Sequence, residues 1–336
     1  MAKLYKILFM NSLVLGTIIS VSSYSWFSMW MGLEINLLSF IPLMSSTNNM
    51  YSSEASLKYF VSQAMASIIL LFSVILIFMS TEFITPMVNS YVMMLNSALF
   101  MKLGAAPFHF WFPEVMEGLD WVNCSILLTW QKIAPFILIS NNKPSSLFLL
   151  FIIMTSLLIS TIMSFNQISL RKIMAFSSIN HIAWMTAAMM TNNSIWLIYL
   201  CIYIVITINM TLIFYQNKLF FINQIPGLFS INKNLKFTFM INFLSLGGLP
   251  PFLGFLPKWL TISSLMNDNF GFTTIILILL TLIMLFVYIR IIMTSLIFSY
   301  MESKLTNSNM TSFTQFPINF LTISSLISCT ILFNFL

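Results

Sequence analysis

Four ionisable side chains lie inside runs of apolar residues that are long enough to cross a membrane. They are Glu34 in WMGLEINLLSF, Lys102 in SALFMKLGAAP, Lys132 in LLTWQKIAPF and Lys258 in FLPKWL. A charge at the centre of a bilayer costs about 2.5 to 3.5 kcal/mol on insertion scales unless water or a partner reaches it. Because four independent accidents of that size are not expected, these residues predict a path along which wetted lysines take up and release protons.

Glu34 is the acidic residue that the sequence places at membrane depth, and it lies near the middle of its run, as Lys102 does. It is therefore the natural counter-ion of Lys102, and breaking or hydrating that pair would act as a switch. The alternative is a static buried ion pair that only fixes helix packing. Lys132 precedes Pro135 by three residues, at a place where a helix loses backbone hydrogen bonds and water can enter.

The chain has two histidines, and they invite different interpretations. His181 follows Ser177, Ser178 and Asn180 in SSINHIAWM, which makes a polar strip able to carry a water chain. A proton relay and a hydrogen-bonded core residue both remain open for it. His109 lies beside a helix break, where the structural interpretation is favoured. The spacing of the two histidines gives no support for haem ligation.

Two Gly/Pro-rich segments interrupt the apolar runs beside two of these lysines. LGAAPFHFWFP, residues 103–113, follows Lys102, and LGGLPPFLGFLP, residues 246–257, precedes Lys258. The two segments match with one residue inserted, and they share Leu-Gly-small at the start, Pro-Phe in the middle and Pro at the end. Such interrupted spans in corresponding halves are typical of transporter binding sites, although packing kinks also produce them.

Composition places the whole chain in a membrane. Of its 336 residues 59% are hydrophobic and 7% are charged, and the mean hydropathy is +0.95, far outside the range of water-soluble domains. The cysteines are dispersed singly, and neither a phosphate-binding loop nor a dinucleotide fingerprint is present. The apolar runs predict an all-α polytopic protein with about eleven transmembrane helices, centred near residues 14, 34, 68, 98, 130, 156, 182, 205, 250, 286 and 326.

The interrupted helices are the fourth and the ninth of these, so each half holds five spans and the halves have opposite orientation. We predict a first inverted repeat over residues 1–140, a second over 145–300 and a C-terminal transmembrane helix over 313–336. The N-terminal segment resembles a secretory signal but is expected to stay as the first helix.

The positive charges of the loops predict the orientation of the chain. Of the 14 lysines and arginines, eight fall on the side of the N-terminus: Lys3, Lys6, Arg171, Lys172, Lys218, Lys233, Lys236 and Lys304. Lys143 alone falls on the other side, and the remaining five lie in or at the edge of spans. Among those five, Arg290 can snorkel to the membrane surface and Lys58 can pair with Glu54 four residues before it.

Six segments carry a resemblance to a known family. They are WMGLEINLLSFIPL, EASLKYF, KLGAAPFHFWFPEVMEG, TWQKIAP, LRKIMAFSSINHIAWM and FLSLGGLPPFLGFLPKW. Over nearly the whole chain the sequence resembles the antiporter-like membrane-arm subunits of mitochondrial respiratory complex I, which are related to Mrp cation/proton antiporter subunits. Bacterial-type members have fourteen helices, so the chain looks like a shorter form that lacks the first three.

The resemblance implies a proton-carrying subunit of NADH:ubiquinone oxidoreductase in the mitochondrial inner membrane, with the N-terminus in the matrix and the C-terminus in the intermembrane space. It maps the family's key glutamate onto Glu34, its lysines onto Lys102, Lys132 and Lys258, and the linking polar axis onto His181. It implies no cofactor in this chain, with FMN, iron–sulfur clusters and ubiquinone in other subunits. The implied partners are neighbouring antiporter-like subunits and membrane lipids, cardiolipin being a candidate, and not nucleic acid.

Two alternatives stay open. A self-sufficient Mrp-like cation/proton antiporter would exchange ions as a purified chain, whereas a subunit would be inactive outside its complex. A non-pumping structural spacer would use its charges only to hold helices together, so neutralising Lys258 would harm assembly and leave the pumping of assembled enzyme intact.

Overall fold

A computed structural model describes residues 4–46, 49–80, 88–142, 144–226, 233–250 and 252–297, together with Phe320, Ser324 and Ile331. Helices account for nearly all of the described chain, in which an isolated β-bridge joins Ser169 and Phe221. The predicted all-α class is therefore confirmed. Of the predicted helix 313–336 only the three isolated positions are described, and each is helical.

The chain packs as two compact units, Met1–Ser156 and Leu157–Leu336, whose boundary falls within one helix. The first unit contains α1 (Leu4–Ser22), α2 (Trp26–Met44), α3 (Met50–Ser80), α4 (Val88–Leu103), α5 (Trp111–Gly118), α6 (Trp121–Leu128), α7 (Trp130–Asn142) and the start of α8 (Ser146–Ser164). The second contains the rest of α8, then α9 (Leu170–Thr191), α10 (Asn193–Asn217), a 3₁₀ turn (Ile222–Gln224), α11 (Lys233–Gly247), α12 (Phe255–Asn267) and α13 (Gly271–Ile297). The predicted repeat boundaries near residues 140 and 145 stay a prediction.

Seven segments within the described chain are long and apolar enough to cross a membrane, and each contains or adjoins a predicted centre. They are Leu4–Ser22, Trp26–Met44, Met50–Met79, Trp121–Asn142, Ser146–Ser164, Asn193–Asn217 and Gly271–Thr294. Shorter helices make up the predicted spans near residues 98 and 250. Helix α4 near residue 98 has 16 residues, and α11 and α12 near residue 250 have 15 and 13. These are the two predicted discontinuous helices.

The predicted span near residue 182 is α9, which is less apolar than the seven segments above. Every residue from Ile173 to Ala188 is buried, so protein surrounds this part of the helix. A helix that meets no lipid can carry serine, asparagine and histidine wherever neighbouring helices supply polar partners. Burial on all sides therefore explains why α9 is less apolar than the seven outer segments.

Glycines bring α1 and α2 into close contact beside Glu34. A Cβ atom on Gly16 would lie 2.8 Å from the backbone nitrogen of Asn36, and one on Gly32 would lie 2.5 Å from that of Ser20. The small residues Gly16 and Ser20 on α1 and Gly32 on α2 allow such backbone contact, as in other membrane helix pairs. The position of Glu34, two residues after Gly32, therefore depends on this packing.

We expect Gly32→Ala to destabilise the α1–α2 pair by about 1 to 3 kcal/mol, the usual cost of overpacking a close contact. The new methyl group would meet backbone atoms of Ser20, which cannot rotate away. Thermal denaturation of the purified assembly containing this chain measures the effect. Gly271→Ala is the control, since its nearest neighbour, the Met266 sulfur, is 3.8 Å from the new carbon. Equal stability of the two variants would contradict the prediction.

The predicted pair between Lys58 and Glu54 is confirmed, and the structure adds a second carboxylate. The Lys58 ammonium lies 2.9 Å from Glu54 and 2.8 Å from Glu114, so it joins the start of α3 to α5. All three side chains are substantially exposed, and such pairs contribute little to stability. Arg290 donates a hydrogen bond to the Phe165 carbonyl (3.0 Å) and is partly exposed, consistent with its predicted surface role.

Candidate functional site

Both predicted breaks have the same backbone structure. Gly104 and Gly248 each have φ of +74°, a conformation that glycine adopts without the penalty paid by other residues. The Gly104 amide donates to the Met101 carbonyl and the next amide donates to Phe100, five residues before it. Gly248 repeats this pattern with Ser245, and Leu249 repeats it with Leu244. Each half-helix therefore ends in a Schellman motif.

This pattern corrects the predicted alignment of the two segments. When Gly104 is matched with Gly248, the prolines and phenylalanines coincide without an insertion, and α5 and α12 both begin seven residues after their glycine. Alignment by letters places Leu103 opposite Leu246 and then needs a one-residue insertion. The backbone instead places Leu103 opposite Gly247, the first glycine of the second segment, so the predicted insertion is wrong. In this register Lys102 corresponds to Leu246, and Lys258 corresponds to Glu114. The two lysines thus lie on opposite sides of their breaks along the chain.

Lys102 and Lys132 line one cavity in the first unit. The space between atoms here is about 430 Å³ when open solvent is included, and the enclosed part has room for about one bound water molecule. Lys102 is in the last turn of α4 and Lys132 is in the first turn of α7; both are buried. The other polar residues of the lining are Asn36, Tyr59, Gln63, Trp111 and Gln131. Two lysines among amide and phenol groups can exchange protons through water.

Hydrogen bonds hold the polar lining of this cavity in place. Gln131 donates to the Asn36 side chain at 2.9 Å, which ties α7 to α2. Gln63 on α3 donates to the carbonyl of Lys102 at 3.4 Å. The sequence analysis did not select these residues as site residues, although uncharged amides inside apolar helices are a signal that could have found them.

Glu34 lies near the cavity but does not close an ion pair with Lys102. In the described part of the chain the ion pairs within 4.0 Å involve Lys58 alone. Glu34 is half-buried, and its Oε1 atom is buried without a hydrogen-bond partner among the described residues. It is nonetheless near enough to interact electrostatically with Lys102 and with Tyr59. The pair is therefore open in this structure, and Tyr59 is an additional neighbour that sequence reasoning missed.

A one-residue irregularity at Thr129, within the segment Trp121–Asn142, lies three residues before Lys132, where the sequence had predicted only the effect of Pro135. Helix α6 ends at Leu128 and α7 begins at Trp130, with Thr129 between them donating its hydroxyl to the Ser125 carbonyl at 2.6 Å. Pro135 lies inside α7 and removes a further backbone donor. The Lys132 ammonium lies 5.8 Å from the centre of the Phe112 ring. Two features thus position Lys132. One is the irregularity at Thr129, and the other is the Phe112 ring of α5.

In the second unit, Lys258 reaches back across its break to the end of α11. Its ammonium donates to the carbonyl of Gly247 at 3.0 Å and to that of Leu246 at 3.3 Å, and it lies 5.6 Å from the Trp184 ring centre. The C-terminal end of a helix carries unpaired carbonyls and partial negative charge. Although Lys258 follows its break and Lys102 precedes its own, both are therefore placed at the C-terminal end of a half-helix.

Glycines make room for this arrangement of Lys258. A Cβ on Gly248 would lie 2.6 Å from the Lys258 Cδ atom, and a Cβ on Gly254 would collide with the Ser245 carbonyl oxygen. The first glycine therefore admits the lysine side chain, and the second lets the start of α12 approach the end of α11. A side chain at position 248 would displace Lys258, and one at position 254 would push the start of α12 away from α11.

His181 lies among buried hydroxyl-bearing side chains in the second unit. Together they form a group that we call the tyrosine cluster: Ser177, Ser178, His181, Tyr199, Tyr203 and Tyr288. The His181 Nδ1 atom lies 2.9 Å from the Tyr199 hydroxyl. Trp184, which contacts Lys258, is three residues after His181 and so lies on a neighbouring part of the same helix face. His109 is buried in the first unit, with Nδ1 at 3.4 Å from the Pro107 carbonyl, consistent with its structural interpretation.

Paired discontinuous helices are typical of transporter folds built from repeats, in which ions or substrates bind where the backbone is interrupted. In this chain a buried lysine lies at each break. A family model described as NADH:quinone oxidoreductase/Mrp antiporter, transmembrane, matches residues 23–285. NADH-ubiquinone oxidoreductase chain 2 of Anopheles gambiae is 46% identical over 339 residues, covering 99% of both chains. The chain therefore belongs to the NADH:quinone oxidoreductase/Mrp antiporter family.

A further relative and two solved structures are also similar to this chain. NADH-ubiquinone oxidoreductase chain 2 of Mus musculus is 39% identical over 313 residues, covering 92% of this chain and 86% of the relative. A chain of respiratory complex I from Thermus thermophilus has the same fold, with a TM-score of 0.89 and 21% identity over 98% of this chain and 78% of its own length. A chain of the Mrp complex from Dietzia sp. matches with a TM-score of 0.77 and 17% identity, covering 84% of this chain and 59% of its own.

Proposed function

We propose that this chain is a proton-translocating membrane-arm subunit of NADH:ubiquinone oxidoreductase. The observation that carries the proposal is the cavity that Lys102 and Lys132 share at a helix break. Two lysines that line one cavity tend to differ in protonation state, because a proton on one lysine disfavours a proton on the other. Water between them then provides the route by which a proton moves from one lysine to the next.

The driving event is a change in the interaction between Glu34 and Lys102. When the carboxylate approaches the ammonium, it holds the proton on Lys102, and when it withdraws, the proton is released toward Lys132. The open pair, in which Glu34 Oε1 has no described hydrogen-bond partner, corresponds to the releasing state. Beyond Lys132, the path continues through His181 to Lys258. At Lys258 the carbonyls of Leu246 and Gly247 accept hydrogen bonds from the ammonium.

The redox chemistry that drives this event takes place in other subunits, which hold FMN, iron–sulfur clusters and ubiquinone. The relatives named NADH-ubiquinone oxidoreductase chain 2 support a place in that complex. In this proposal the chain lies in the mitochondrial inner membrane, with its N-terminus in the matrix and its C-terminus in the intermembrane space. Its neighbours are other antiporter-like subunits and membrane lipids, with cardiolipin as a candidate.

Substitution of Glu34 tests the proposal. In complex assembled with Glu34→Gln, we expect fewer protons pumped per NADH oxidised, because the amide keeps the size of the side chain but cannot act as a counter-charge. Glu54→Gln is the control, since Glu54 is exposed and pairs only with Lys58 in the described chain. Proton uptake by sealed vesicles, measured together with NADH oxidation, gives the ratio. An undiminished ratio in the Glu34 variant would reject the path.

A further inference from the structure

Three buried tyrosines surround His181 in the tyrosine cluster, and the sequence analysis assigned none of them a role. Tyr199, Tyr203 and Tyr288 are each at most 3% exposed. Tyr199 and Tyr203 are four residues apart on α10, so they share the face of that helix that packs on α9. The rings of His181 and Tyr203 lie 5.1 Å apart between centres. A buried phenol needs a hydrogen-bond partner, so the hydroxyl groups define a polar network inside this unit.

The hydroxyl groups contact α9 at separate points. Tyr199 bonds to Nδ1 of His181 at 2.9 Å, whereas Tyr203 lies beside Ser178 and Tyr288 lies beside Ser177. Ser177 and Ser178 also donate to carbonyls within α9. The Tyr199 hydroxyl therefore contacts the Nδ1 atom of the imidazole, and the Tyr203 ring contacts the ring of the same histidine.

A neutral hydroxyl suits a histidine that must change its charge, whereas a carboxylate partner favours the charged imidazole. A phenol oxygen that accepts from Nδ1–H selects the neutral tautomer with its proton on Nδ1, so Nε2 is then the nitrogen that gains and loses the second proton. In that arrangement Nδ1 keeps its proton in both charge states of His181, and the Tyr199 oxygen accepts from it.

We propose that Tyr199 is a positioning residue for His181, one that pairs with Nδ1 in both charge states and leaves Nε2 as the nitrogen that exchanges protons. This inference rests on the proposed proton path, in which His181 takes part. A proton that arrives at Nε2 gives the imidazolium, whose Nδ1–H donates to the Tyr199 oxygen; departure of the proton from Nε2 restores the neutral ring. The phenol keeps its own proton throughout.

Tyr199→Phe removes only the hydroxyl and tests the inference in the assembled complex. We expect the rate of proton pumping to fall about two- to tenfold, the factor expected for one lost hydrogen bond of ordinary strength. Tyr203→Phe is the matched control, because it removes a phenol hydroxyl one turn away, beside Ser178, and keeps the ring that contacts His181. Infrared difference spectra with labelled histidine should show an altered imidazole tautomer in the Tyr199 variant and an unaltered one in the Tyr203 variant.

A double substitution distinguishes a failure of the positioning role of Tyr199 from a failure of the proposed proton path. If Tyr199 acts through His181, Tyr199→Phe should cause no further loss of pumping in a complex that already carries His181→Gln. An equal further loss in that background, or an unaltered imidazole spectrum in Tyr199→Phe, would overturn the positioning role. Normal pumping by His181→Gln alone would instead reject the histidine step of the proposed function.

Discussion

Complex assembled with Lys102→Met will lose the protons that this chain contributes per NADH oxidised, while the amount of assembled complex stays near normal. Methionine keeps the length of the side chain and removes the proton-carrying group, a role typically worth at least about a hundredfold in rate. Removal of a buried charge relieves a desolvation cost, so the variant is not expected to unfold. The ratio of protons pumped to NADH oxidised in sealed vesicles measures the loss.

Lys58→Met is the matched control for Lys102→Met. Lys58 belongs to the same unit and has the same charge, but it is substantially exposed and paired with Glu54 and Glu114. Its loss removes only a surface ion pair, which contributes little to stability. A Lys102 variant that pumps as the Lys58 variant does would show that the cavity lysine carries no proton.

Several features of the site could be predicted from sequence because they depend on local chemistry. Positive φ at Gly104 and Gly248, the ends of α4 and α11, and the burial of Lys102, Lys132 and Lys258 follow from glycine and proline placed beside a charge in an apolar run. The Glu54–Lys58 pair follows from helix periodicity alone. Each of these features lies within a few residues along the chain, where periodicity and backbone preference determine the outcome.

Features that join distant parts of the chain could not be predicted in the same way. Asn36 and Gln131 form a hydrogen bond across 95 positions, and no spacing in a single sequence indicates such a partner. The contact of Tyr199 with His181 also depends on how α10 rotates against α9. The insertion between the two breaks was mispredicted because LGA and LGG align by letters, whereas the backbone aligns Gly104 with Gly248. Packing between helices, not local pattern, determines these features.

Lys258 has two roles in the structure, and a pair of substitutions separates them. Its ammonium satisfies the carbonyls of Leu246 and Gly247 at the end of α11, and in the proposed function it also carries a proton. Lys258→Met removes both roles and should leave the carbonyls without a donor, at a cost of about 1 to 3 kcal/mol for each. We therefore expect less assembled complex with Lys258→Met and little pumping by the complex that does assemble.

Lys258→Gln keeps a donor for the carbonyls but carries no titratable proton. We expect complex with Lys258→Gln to assemble better than complex with Lys258→Met and still to pump fewer protons per NADH, because the hydrogen bonds survive and the proton site does not. Assembly is measured by the yield of intact complex on native gels, and pumping is measured in vesicles made from the same preparation. If the glutamine variant assembles and pumps normally, Lys258 only holds α11 and α12 together, as the structural-spacer alternative requires. If it assembles and does not pump, that alternative is excluded, because the hydrogen bonds alone then fail to support proton transfer.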